Sequence, residues 1–247
     1  MLKRLGLEEI ENFPEATFFL AALILAVFLF TRTELTHYEN LLGFIPARPQ
    51  IYTFITYTFI HVDFTHLFFN LLFLLIAGIA IEETLGKWVF LSVYISSGNI
   101  AVIFDIIGRF LSGISFGAPF VGASGAIFGV MAVAALLKPS EKVPTILALL
   151  AFLPLIQWLL VSQPSYDNFT SMLILSTVGI VAITIFFFIP AVVPVSLTMI
   201  FFLTAWMLVV LLRLPTQVSN LGHLGGVVGG IVSVFLFGKK QESKTEK

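Results

Sequence analysis

Eight apolar runs dominate this chain, and they dictate its solvent. They are read at about 16–30, 66–82, 88–107, 123–137, 145–161, 171–189, 195–212 and 220–237. A helix crossing a bilayer needs roughly 20 apolar residues, so the first run is expected to start near Phe13. Of the 247 residues 58% are hydrophobic and 11% charged, where a soluble domain carries about 25% charged residues. So few charges cannot cover a water-facing surface. The chain reads as all-α, a polytopic transmembrane helical bundle whose main partner is the lipid bilayer. Lys3 and Arg4 ahead of an apolar run would also suit a secretory signal. The run is followed by Thr31-Arg32-Thr33-Glu34 instead of a small-residue cleavage site, so it is read as a first span.

The whole of 1–247 is expected to form one integral-membrane domain. Residues 31–65 form a long first loop in which Pro46 and Pro49 interrupt regular helix. Its run Tyr52-Thr53-Phe54-Ile55-Thr56-Tyr57-Thr58-Phe59 suits a membrane interface, so the loop is expected to be structured and half-immersed. Residues 239–247 read as a charged tail. If the N-terminus is cytoplasmic, that side holds nine of the 13 Lys and Arg: Lys3, Arg4, Lys87, Lys138, Lys142, Lys239, Lys240, Lys244 and Lys247. Arg32, Arg48, Arg109 and Arg213 fall on the other side. This bias predicts a multi-pass protein of the cell membrane with both termini cytoplasmic. A net charge of −1 lends no support to a nucleic-acid partner. The absence of cysteine excludes disulfides and thiolate chemistry and leaves the redox compartment open.

Polar groups in such runs are expensive and usually functional. Ser124 stands in Gly122-Ala123-Ser124-Gly125-Ala126-Ile127-Phe128-Gly129, at the start of the fourth span. A serine becomes nucleophilic only with a base in hydrogen-bond reach, and a helix start offers free N–H groups to a developing oxyanion. These small residues also suit plain helix packing. His223, in Gly222-His223-Leu224-Gly225-Gly226, shifts the balance. Three spans intervene between Ser124 and His223, an odd number, so both fall at the outer ends of their spans. Gly222, Gly226 and Gly230 recur every four residues, as do Gly225 and Gly229, which allows close approach to the helix of Gly125 and Gly129. His61, His66 and Asn70 lie at the same depth, with His66 and Asn70 on one helical face. An imidazole and a carboxamide there suit oxyanion donation. Asn is a poor zinc ligand and Asp63 is a lone carboxylate, so no metal and no cofactor is expected. No acidic residue flanks His223, which favours a Ser–His dyad over a triad. Glu82, followed by Gly86 as a C-cap candidate, reads as structural.

The set His61-x4-His66-x3-Asn70, Gly122-Ala123-Ser124-Gly125-Ala126-Ile127-Phe128-Gly129 and Gly222-His223-x2-Gly226 resembles the rhomboid family of intramembrane serine proteases. The resemblance implies a six-helix core, Ser124 as nucleophile and His223 as general base. It implies oxyanion donation by His66, Asn70 and the Ser124 N–H, and an imidazole packed on Phe128. Gly122, Gly125, Gly226 and His61 would support that site. Glu82 with Gly86 is similar to the family's structural Glu-x3-Gly. Two departures stand out. Tyr52 and Thr53 occupy positions where the family often has Trp-Arg, and His223 follows Ser124 by 99 residues, a stretch that holds three spans where a minimal rhomboid needs one. Residues 140–218 are therefore expected to contain inserted spans. The expected substrates are membrane proteins whose transmembrane segments unwind readily, as Gly or Pro would allow. The rivals are a non-catalytic rhomboid-like protein that binds or routes membrane proteins, and a small-solute transporter, for which no internal repeat is found.

Overall fold

The computed structural model describes residues 13–137, 142–144, 147–148, 192–211 and 220–237. Helix α1 (Glu15–Thr31) runs through a 3-10 turn at Arg32–Glu34 into α2 (Leu35–Leu42), and a short α3 (Thr53–Thr56) follows. The remaining helices are α4 (Phe64–Leu85), α5 (Lys87–Ser112), α6 (Ser124–Leu137), α7 (Val195–Leu211) and α8 (Asn220–Phe237). Among the described residues three helices are long and apolar enough to cross a membrane: the continuous Glu15–Leu42, Phe64–Leu85 and Lys87–Ser112. Ser124–Leu137, Val195–Met207 and Asn220–Leu236 are shorter apolar helices. In hydrocarbon every backbone polar group must be satisfied internally, which is why apolar runs of this length fold as helices. The protein is an α-helical integral membrane bundle.

The central element is α6. Its sequence is apolar on every side, and Gly125 through Ala135 are all buried, as expected of a helix surrounded by others. It packs against α4, α5, α7 and α8. At the far end of α4 from His66, the buried Glu82 carboxylate accepts from the N–H groups of Ala16 and Thr17 and from the Thr17 hydroxyl, at 2.7–2.9 Å. An anion on free N–H groups is the favoured partner of a helix start, so Glu82 ties α1 to α4. Gly86 closes α4 with φ +83° and donates its N–H to Glu82 C=O.

The sequence-predicted boundaries differ from the structure in instructive ways. The second span reaches three residues past 82 to Leu85, and the third extends to Ser112, where Gly113 at φ +67° caps it. The first loop is structured, as expected, by α2, α3 and a bridge in which Phe44 and Phe120 exchange N–H···O bonds of 3.0 and 2.7 Å. One element was not foreseen. Lys142–Pro144 (β1) pairs antiparallel with Val192–Pro194 (β2), Val143 opposite Val193. Chain leaving the end of α6 therefore returns to the same point before α7 begins. The predicted spans at 145–161 and 171–189 lie outside the described residues apart from Leu147 and Ala148, as does the tail. The predicted span at 195–212 is α7, which packs against α6 and α4 as part of the central bundle.

Candidate active site

Ser124 opens α6 and His223 lies in the first turn of α8. The two small-residue faces of α8 bring them together. A Cβ on Gly226 would fall on the Gly125 carbonyl and one on Gly230 on the Gly129 carbonyl, while Gly225 and Gly229 press against Phe104 and Ser97 of α5. The glycines spaced by four thus serve two different neighbours, α6 and α5. With the backbones this close, His223 Nε2 lies 2.7 Å from Ser124 Oγ. His223 is buried, at 5% exposure. Its ring stacks on Phe128, with centroids 4.3 Å apart and planes at 6°, and Trp206 of α7 meets it edge-on at 5.0 Å. His223 Nδ1 is buried and, among the described residues, has no hydrogen-bond partner and no carboxylate to orient it. Its orientation comes from the two aromatic rings.

The turn before Ser124 is held from below. Gly122 adopts φ +110°, and a Cβ there would stand 2.6 Å from His66 Cε1. Both the backbone conformation and the histidine ring therefore require glycine at this position. Gly122 N–H donates to Tyr57 C=O at 2.9 Å. Ala123 N–H donates to His61 Nε2 at 3.5 Å, and His61 Nδ1 faces Phe59 C=O at 3.3 Å. That pattern assigns the Nδ1–H tautomer, with Nε2 as acceptor. His61 is wholly buried. Burial, then the neighbouring His66, push its pKa down to about 3, against the opposing hydrogen bond to Phe59. Ala123 C=O accepts from Ile127 N–H, so the N–H of Ser124 has no partner within the helix.

His66 and Asn70 rise from the first turns of α4, whose start is capped by Asp63 accepting from His66 N–H at 2.7 Å. Asn70 Nδ2 donates to His66 C=O at 2.8 Å, which leaves its second N–H uncommitted. Among the described residues His66 Nε2 is buried without a partner. Both residues share with Ser124 and His223 a cavity of about 910 Å³. The structure thus gathers Ser124, His223, His66, Asn70, Phe128 and the glycines 122, 125 and 226 around one site. His61 stands beneath the turn and does not line the cavity. Trp206, Phe202 and Phe73, which also line it, escaped the sequence reading. An aromatic residue in an apolar run carries no distinguishing signal in a chain with 27 Phe.

The fold and site define a class: a helical membrane bundle with a half-buried serine and a buried histidine paired at a cavity. A family model of the Rhomboid domain matches residues 48–165. That match supports a rhomboid family assignment; members of that family are typically intramembrane proteases and include non-catalytic ones. The matched segment contains His61, His66, Asn70 and Ser124, whereas His223 lies beyond it. No curated protein matches the chain.

Proposed function

We propose that this protein is an intramembrane serine endopeptidase acting on peptide bonds in or beside the transmembrane segments of membrane proteins. The observation that carries the reading is the 2.7 Å contact between His223 Nε2 and Ser124 Oγ at the cavity. His223 takes the hydroxyl proton at Nε2 as Oγ attacks the carbonyl carbon of the substrate. The oxyanion is received by the Ser124 N–H, the second Asn70 N–H and His66 Nε2, whose residues line the one cavity, and preorganised donors of this kind lower the barrier most. His66 must be an Nε2–H donor for that role, which its unpaired Nε2 permits. Collapse of the tetrahedral intermediate breaks the C–N bond, and Nε2 returns the proton to the leaving amine. Water then hydrolyses the acyl-enzyme by the same exchange. The site faces the outside of the cell membrane, with both termini cytoplasmic, and the substrate segment must unwind to present its carbonyl.

The test is covalent. A fluorophosphonate probe loses fluoride as Ser124 Oγ bonds to phosphorus. Purified protein should be labelled at Ser124, and neither Ser124→Ala nor His223→Ala should label or cleave while both melt as the wild type does. A folded wild-type protein that never labels would leave the non-catalytic, substrate-routing reading in its place.

A further inference from the structure

An arginine near the end of a membrane helix normally extends its head toward water. Arg109, in the last turn of α5, does the reverse and is only 7% exposed. Its Nε donates to Asp105 Oδ2 at 2.6 Å, one turn back on the same helix, and Asp105 is buried too. Its Nη1 donates to Ser115 C=O at 2.8 Å and Ala118 C=O at 2.9 Å. These carbonyls belong to the turn that follows Gly113, and that turn leads straight into Pro119, Phe120 and Val121. Those three residues and Arg109 line the same cavity as Ser124.

A buried ion pair is weak evidence for stability, since apolar residues of similar volume often serve as well. Apolar residues would not hold two carbonyls at fixed positions, however, and a lysine has no planar fork to bond a carboxylate and two carbonyls at once. The geometry of this pair therefore favours position over stability. Its reach is also limited. The turn carrying Ser124 is secured separately, by Tyr57 C=O and His61. Arg109 acts on the cavity wall upstream of the nucleophile, where it holds the turn that enters the wall while the Phe44 bridge holds Phe120 from the other side.

We infer that Arg109, held by Asp105, is a positioning residue that fixes the Pro119–Val121 wall against which a substrate segment seats beside Ser124. This rests on the serine-protease reading above. A substrate long enough to touch the wall would feel its loss, and a small probe reacting at Ser124 alone would feel it much less.

The experiment compares wild type, Arg109→Lys and the charge-neutral Asp105→Leu/Arg109→Met double variant. The double variant avoids an unpaired buried Asp105, which would itself threaten folding. Each is assayed with a single-span reporter whose transmembrane segment is interrupted by Gly and Pro, with a small fluorophosphonate, and by melting in one detergent. KM for the reporter should rise on the order of tenfold in both variants, with kcat and the labelling rate changing by less than about threefold. Unchanged KM in a double variant that folds and labels would overturn the inference. So would parallel loss of labelling and turnover, which would make the pair a support of the dyad, or loss of cooperative melting in both variants, which would make it a folding element. Failure of the wild type to label would instead sink the protease reading, so the two failures are distinguishable.

Discussion

Two seams of this bundle are built on opposite principles. Between α8 and its neighbours α5 and α6 the helices meet backbone to backbone, with Gly225, Gly226, Gly229 and Gly230 leaving no room for a Cβ. Between α4 and α7 the contact is sparse and rests on rings, with Phe73 and Phe202 centroids 4.3 Å apart. In lipid no hydrophobic force drives helices together, so close backbone approach is what binds them. The first seam carries His223 and sets its distance to Ser124. The second lines the cavity with the buried rings of Phe73 and Phe202. The seam that must hold sub-ångström geometry is built of backbone, and the α4–α7 contact is built of rings.

The largest expected effect comes from breaking the rigid seam. Gly226→Val puts three carbons where the Gly125 carbonyl already stands. A carbonyl within a buried helix cannot yield as the end of a side chain can, so α8 must move. Overpacking costs about 1–3 kcal/mol, and a shift near 1 Å at a catalytic pair can cost about 10²-fold in rate. Gly226→Val should lose both melting temperature and turnover. Ala22→Val, on an exposed position of α1, should change neither. Full activity with unchanged melting in Gly226→Val would show that the seam is not rigid.

A smaller effect sharpens the same contrast through pH. His61 is buried and neutral beneath the turn of Ser124, with a pKa lowered to about 3 from 6.5. The unfolded chain therefore binds a proton between those values that the folded chain does not. By linkage, stability from this group is complete above about pH 6.5 and declines as pH falls toward 3. Melting measured from pH 7.5 to 4.5 should fall with acidity. It should fall less steeply in His61→Gln, whose carboxamide oxygen can still accept from Ala123 N–H. Equal slopes in the two proteins would mean that His61 is protonated in the folded state.

The backbone seam was largely legible in the sequence and the ring seam was not, for a physical reason. Rigid packing leaves a composition signal, because only small residues at a spacing of four permit it, and Ser124 and His223 stand out in apolar runs. The coarse bundle was legible from hydropathy in the same way. Ring packing leaves no such signal, so Trp206, Phe202 and Phe73 were invisible as site residues. The β1–β2 ribbon has only three residues a side, each strand ending in proline, with its partners about fifty residues apart in the chain. No periodicity announces it. Asp105 and Arg109 were a missed opportunity: opposite charges four apart within an apolar run share a helical face. Read from charge counts alone, Arg109 is only one of four Arg on the outer side.

The smallest effect should come from loosening the aromatic seam. Phe202 contacts Phe73 and, at 6.0 Å, Phe128. Phe202→Leu keeps an apolar side chain and removes the flat contacts, a large-to-small change expected to cost on the order of 1–2 kcal/mol. Phe128 still stacks on His223, so the dyad keeps its geometry and a small fluorophosphonate should label Ser124 at the wild-type rate. A transmembrane reporter is bulkier and must pass between helices if α4 and α7 form its path. Its turnover should then stay level or rise by about two- to threefold, since a lower opening barrier of a few tenths of a kcal/mol gives changes of that size. The measurement pairs reporter cleavage with probe labelling on the same preparation. A fall in both together would show that Phe202 supports His223 through Phe128 and that the ring seam helps to hold the dyad. A fall in reporter turnover alone would show that the ring contributes to substrate binding and that access lies along another seam.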